Sequence, residues 1–174
     1  MIIRAVEHKP ASTMSVEHQA RRILQQAKSH GLTIVTAESC TAGAVATVLS
    51  TAPGAADYFL GGFVTYTKKM KNKILRVPLK LLKNKGAVCR EVAEAMAAGA
   101  LKLADADIAV SVTGVAGPEP DEDGNPVGLV FCGAAMRKRK SIVVRHFFEG
   151  LSRDAINQAA TEETLTLLQH VCRR

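Results

Sequence analysis

Two periodicities run along the chain. After Ser15, a good helix N-cap, Ile23, Leu24 and Ala27 recur at helical spacing until Gly31 stops the helix. Leu32–Ala37 (LTIVTA) is short, apolar and β-branched, which predicts a strand. Thr41–Ser50 predicts a helix that Pro53-Gly54 breaks. Tyr58–Thr67 (YFLGGFVTYT) predicts a second strand, with Gly61-Gly62 marking a bulge or a close approach. Lys68–Val77 predicts a helix ended by Pro78, and Arg90–Ala104 an Ala-rich helix. Ile108–Thr113 (IAVSVT) predicts a short buried strand, followed by a Gly-, Pro- and acid-rich loop, Gly114–Pro126. Val127–Met136 and Ser141–Phe148 predict a hairpin around the basic turn Arg137–Lys140. Ser152 caps a last helix running to about Cys172. Strands alternating with helices, then a hairpin, predict an α/β layered fold with a mixed central β-sheet flanked by helices. Residues 15–174 read as a single domain, and 1–14 as a flexible extension without the apolar core of a signal peptide, in which Met14 offers an alternative start.

Composition narrows the function classes. Of 174 residues, 47% are hydrophobic, enough for one core, yet only 4% are aromatic and none is Trp, which argues against a base-stacking surface. The formal charge of +7 is concentrated in Lys68–Lys85 and in Arg137–Lys140. Each is a solvated face, or the first lies near a phosphate-bearing ligand. No recognition motif accompanies the charge, so nucleic acid is not an expected partner. Cys40, Cys89, Cys132 and Cys172 form no C-x-x-C pair, so no metal site is expected, and scattered thiols fit a reducing cytosol. No stretch approaches the length of a membrane span.

In α/β sheets, ligands collect at the carboxyl ends of strands. Two loops qualify: Glu38–Gly43 and Gly114–Pro126. Ser39 precedes a predicted helix start, whose free N–H groups suit a phosphate, an oxyanion beside a nucleophile, or simple capping by Ser39 or Thr41. A Ser nucleophile needs a base. His8, His18, His30, His146 and His170 fall in the extension, in helices or on a strand, and no G-x-S-x-G elbow exists. Lysine is the other known base. At about 100° per residue from Met70, Lys71 falls at about 100°, between Ile74 at about 40° and Leu75 at about 140°. A lysine inside an apolar arc is either desolvated, with a lowered pKa, or snorkels out at its edge. Tyr66 is placed to relay a proton or orient Lys71, or is an ordinary strand tyrosine. Cys40 is a rival nucleophile at a helix start, but without a His to pair with it reads as a small buried hydrophobe.

The blocks TAESCTAG, GFVTYTKKMKNKIL, GAVCREVAEAMAAGALKLADADIAVSVTGVAGP and PVGLVF, in that order, resemble the CinA C-terminal domain family. The resemblance runs from about Ser15 to the end. It implies a bacterial, cytoplasmic homo-oligomeric enzyme that hydrolyses the carboxamide of nicotinamide mononucleotide in pyridine-nucleotide salvage, with no cofactor and no metal. By the same resemblance Ser39 is the nucleophile and Lys71 the base, with Tyr66 and Thr113 at further catalytic positions. The substrate is then expected against Glu38, Cys40, Thr41 and Gly43 of the first loop, Gly114, Ala116 and Gly117 of the second, and Lys68. The chain departs from the family pattern in PEPDEDGNPVG, where Asn125 replaces a Lys and Glu119, Asp121, Glu122 and Asp123 add negative charge. That loop is also what favours the alternative, a nucleotide-binding or interaction module linked to competence and DNA damage that does not hydrolyse its ligand.

Overall fold

The computed structural model describes residues 15–173; the extension expected over 1–14 lies outside the described residues. Five strands form one sheet: β1 (Ile34–Glu38), β2 (Phe59–Val64), β3 (Ile108–Gly114), β4 (Leu129–Met136) and β5 (Ile142–Phe147). Their order is β2-β1-β3-β4-β5. The β2/β1 and β1/β3 pairs are parallel, β3/β4 and β4/β5 antiparallel, so the sheet is mixed. β1 is buried along its whole length and β3 over all but its last residue, as strands covered on both faces must be.

Helices supply the two covers. On one face α1 (Val16–His30) and α7 (Arg153–Cys172) bury Ile23, Leu24, Leu165 and Leu168 against Ile34, Ile108, Val110 and Val112. On the other, α4 (Lys68–Leu75), α5 (Leu79–Lys85) and α6 (Arg90–Ala104) bury Leu75, Leu82, Met96 and Ala100 against Val35, Ala37 and Ala109. Ser15 caps α1 by accepting from the His18 N–H, and Gly31 ends it in the left-handed conformation, both as the sequence indicates. Ser152 caps α7 in the same way, through the Ala155 N–H.

The helices differ from the expectation in four places. α2 (Ala44–Ser50) starts three residues later than Thr41, because Ala42 and Gly43 have φ of 51° and 102°. A one-turn helix α3 (Ala55–Tyr58) takes the start of the run expected as strand. Arg76, in the left-handed region, ends α4 at Leu75 before Pro78 is reached. Pro78 instead opens α5, a helix hidden in a lysine-rich segment. The Gly61-Gly62 expectation holds twice. The β1/β2 register shifts just before Gly61, skipping Leu60, and a Cβ on Gly62 would lie 2.3 Å from Thr36 Oγ1.

Candidate active site

Parallel neighbours β2, β1 and β3 deliver their carboxyl ends to one edge of the sheet, so three segments converge there. β1 ends in Glu38 and hands over to Ser39. β2 is followed by Thr65, Tyr66 and the N-cap Thr67 of α4, one turn before Lys71. β3 runs into Gly114–Gly117. Between them opens a cleft of about 480 Å³.

Lys71 is the largest of the most deeply buried side chains, 1% exposed. The buried face of α4 is centred on Lys71 and Leu75, while Met70 is exposed. Lys71 Nζ lies 2.6 Å from Ser39 Oγ and donates to the Thr65 carbonyl at 2.8 Å and the Tyr66 carbonyl at 3.4 Å. No carboxylate is paired with it among the described residues. Burial therefore dominates, and its pKa falls from 10.5 to about 8, with only Cys40 pulling the other way. A largely desolvated amine against a hydroxyl, both at the floor of a cleft, can accept the hydroxyl proton. No histidine lines the cleft among the described residues.

Glu38, expected against the substrate, does not line the cleft. Its carboxylate is buried and fully engaged within the chain, accepting from Thr36 and Thr41 hydroxyls and from the Gly43, Val45 and Ala46 N–H groups at 2.7–3.2 Å. It caps α2 from the preceding strand, filling the helix start that looked free for a phosphate or oxyanion. Thr41 and Gly43 are thereby turned to Glu38 and away from the cleft. Ser39 caps nothing: its own N–H donates to Val112 at 3.0 Å, and its hydroxyl faces Lys71. The Cys40 N–H is committed to no carbonyl among the described residues, and Cys40 lines the cleft. The Cys40 thiol is pushed up to about 12 by burial, which disqualifies it as a nucleophile at neutral pH.

Two of the expected catalytic side chains act elsewhere. The Tyr66 phenol is 57% exposed and sits 3.3 Å from an Arg153 guanidinium nitrogen, so it is the Tyr66 carbonyl, not the ring, that reaches Lys71. Thr113 is buried and donates its hydroxyl proton to the Ala87 carbonyl at 2.9 Å, which leaves none for an oxyanion. Gly114, Ala116 and Gly117 do line the cleft. Val115 does so with its N–H donated to Leu129, whereas the Ala116 and Gly117 N–H groups have no carbonyl acceptor among the described residues. Lys68 also lines it, but as an ion pair with Asp123 at 2.6 Å and Glu122 at 2.9 Å. Sequence reasoning missed Arg153, which reaches the Gly117 carbonyl and the Tyr66 hydroxyl from the far side. A signal existed: a cation at the first position of a helix opposes the macrodipole and calls for a reason.

Residues 16–172 match the CinA C-terminal domain profile. The chain belongs to the CinA C-terminal domain family. It is 40% identical over 149 residues to the nicotinamide-nucleotide amidohydrolase PncC of Escherichia coli K12, covering 86% of this chain and 90% of that protein. It is 42% identical to a CinA-like protein of Synechococcus, over 84% of this chain but only 35% of that longer relative. Among solved structures, a CinA superfamily protein from E. coli superposes with a TM-score of 0.87 at 34% identity, covering 93% and 94% of the two chains. The Agrobacterium tumefaciens competence/damage-inducible protein CihA gives 0.87 at 36% identity, covering 92% and 100%. These CinA structures share the mixed, layered α/β architecture. No described helix is long and apolar enough to cross a membrane.

Proposed function

We propose that this chain is an amidohydrolase that converts nicotinamide mononucleotide to nicotinic acid mononucleotide and ammonia. The similarity to a nicotinamide-nucleotide amidohydrolase supports the substrate class. The observation that carries the chemistry is the 2.6 Å contact between buried Lys71 Nζ and Ser39 Oγ, with no carboxylate paired to the amine among the described residues. In the neutral amine, the Thr65 and Tyr66 carbonyls take the two N–H protons and the lone pair is left for the Ser39 hydroxyl.

The steps balance as follows. Ser39 Oγ attacks the carboxamide carbon while its proton passes to Lys71, and the carbonyl oxygen becomes an oxyanion beside the Cys40 N–H. The C–N bond then breaks, and the Lys71 ammonium returns the proton to the departing nitrogen, which leaves as ammonia. Water attacks the ester carbon, gives its proton to neutral Lys71, and releases the carboxylic acid as the proton goes back to Ser39. The nucleotide phosphate is held at the cleft mouth by Arg153 and by the Ala116 and Gly117 N–H groups.

Ammonia release from nicotinamide mononucleotide by the purified full chain tests this. Ser39→Ala and Lys71→Met are each expected to lower kcat by about 10³-fold or more, since dyad members act as a unit. Wild-type turnover by Ser39→Ala, with its fold intact, overturns the assignment. The alternative of a non-hydrolytic nucleotide-binding module draws on the Glu122 and Asp123 carboxylates at the cleft. Calorimetric binding of the nucleotide with no ammonia released would select it.

A further inference from the structure

The cleft that contains Ser39 is electrically balanced in an unusual way. Lys68, which follows the N-cap of α4, has its ammonium between Asp123 Oδ1 at 2.6 Å and Glu122 Oε1 at 2.9 Å. The contact is built rather than incidental. The other oxygen of Asp123 accepts the Ala87 N–H at 3.1 Å, and the carbonyl of that same Ala87 accepts the Thr113 hydroxyl. Asp121 fixes the turn from within, accepting the Asp123 and Asn125 N–H groups at 3.0 and 2.8 Å. Across the cleft, Arg153 carries no carboxylate partner among the described residues and uses its guanidinium on two neutral oxygens. Lys69 lines the cleft as well; of Lys68 and Arg153, the first is already neutralised by the chain and the second is not.

We propose that Asp123, helped by Glu122, is a specificity-determining residue: it holds Lys68 as an internal ion pair and so withdraws Lys68 from recognition of the ligand's phosphate. The inference rests on the reading of this cleft as a pyridine-nucleotide site. Its consequence concerns the phosphate. A site with both cations free would bind the nucleotide much more tightly than the corresponding nucleoside. With Lys68 occupied, the preference is weaker, because a dianion entering near Lys68 meets two carboxylates. The carboxylates thereby widen acceptance toward dephosphorylated pyridine nucleosides.

The test compares nicotinamide mononucleotide with nicotinamide riboside in the full chain. Affinities are measured by calorimetry on the Ser39→Ala background, and kcat/KM by ammonia release with Ser39 present. Asp123→Asn keeps an oxygen for the Ala87 N–H while removing the charge. It is expected to raise the nucleotide-over-riboside preference by roughly three- to tenfold, the range of a partly exposed charge contact. Glu122→Gln, at a side chain that is 72% exposed and contacts Lys68, should move the ratio in the same direction by less. Arg153→Ala should lower it. An unchanged or reduced preference in Asp123→Asn and Glu122→Gln, or no measurable nucleotide binding by either, overturns the proposal. The two readings fail separately. Shifted binding preference without ammonia sinks the amidase assignment alone, and ammonia release with an unshifted preference sinks only the role of Asp123.

Discussion

Lys71 sets the terms at the scale of single residues. Desolvation lowers its pKa from 10.5 to about 8. A lowered lysine pKa means that between these values the unfolded chain holds the proton and the folded chain does not. Stability therefore rises with pH across that window and is reduced below about 8. The shift corresponds to about 3 kcal/mol. Chemical denaturation of wild type and Lys71→Met should thus converge or cross. Relative to the variant, wild type should gain about 3 kcal/mol between pH 7 and pH 10.5, with the other lysines cancelling in the difference. A pH-independent difference would show that Lys71 titrates normally. The pair of Ser39 and Lys71 was legible in the sequence because an amine in an apolar helical arc is chemically conspicuous. The placing of the Tyr66 ring was not legible in the same way. Sequence places the residue, but only the backbone path after β2 shows that its carbonyl faces Lys71 while its ring faces Arg153.

At the scale of elements, the strands and long helices followed from period and punctuation. β3, α6 and α7 sit where apolar spacing and caps put them, and the β4–β5 hairpin flanks its basic turn. What escaped was short or non-local. α5 is one lysine-rich stretch of seven residues whose Leu82 alone is fully buried, so no stripe announces it. The start of α2 depends on Glu38, a strand residue whose carboxylate reaches forward to three N–H groups. Local capping rules look for an oxygen next to the helix and do not search the strand before it. Glu38→Gln, which leaves one acceptor oxygen and turns donors toward donors, should destabilise the fold by about 2–4 kcal/mol. It should also loosen the turn bearing Ser39. Thermal melting together with ammonia release reads both effects, and a melting temperature equal to wild type would rule out this capping role.

At the scale of the whole molecule, the run of parallel strands gathers Ser39, Lys71 and the Gly114–Gly117 turn at one edge, while the antiparallel hairpin extends the sheet away from it. The convergence of two loops was foreseeable from the α/β pattern. The distribution of charge was not. The lysine run that reads as one basic patch is divided by the fold: Lys71 is buried, Lys68 is paired with the acidic loop and Lys85 with Glu91. Lys69, Lys73, Arg76, Lys80 and Lys83 stay on the surface. The proposed reaction requires an amine that is poised to take a proton near neutral pH. The most direct measurement is kcat/KM for ammonia release from nicotinamide mononucleotide between about pH 6 and about pH 10. The expected profile climbs close to tenfold per unit below an ionisation at about 8 and is level above it, as the free base of Lys71 accumulates. A rate independent of pH across that ionisation, or one that falls as pH rises through it, contradicts the assignment of Lys71 as the base.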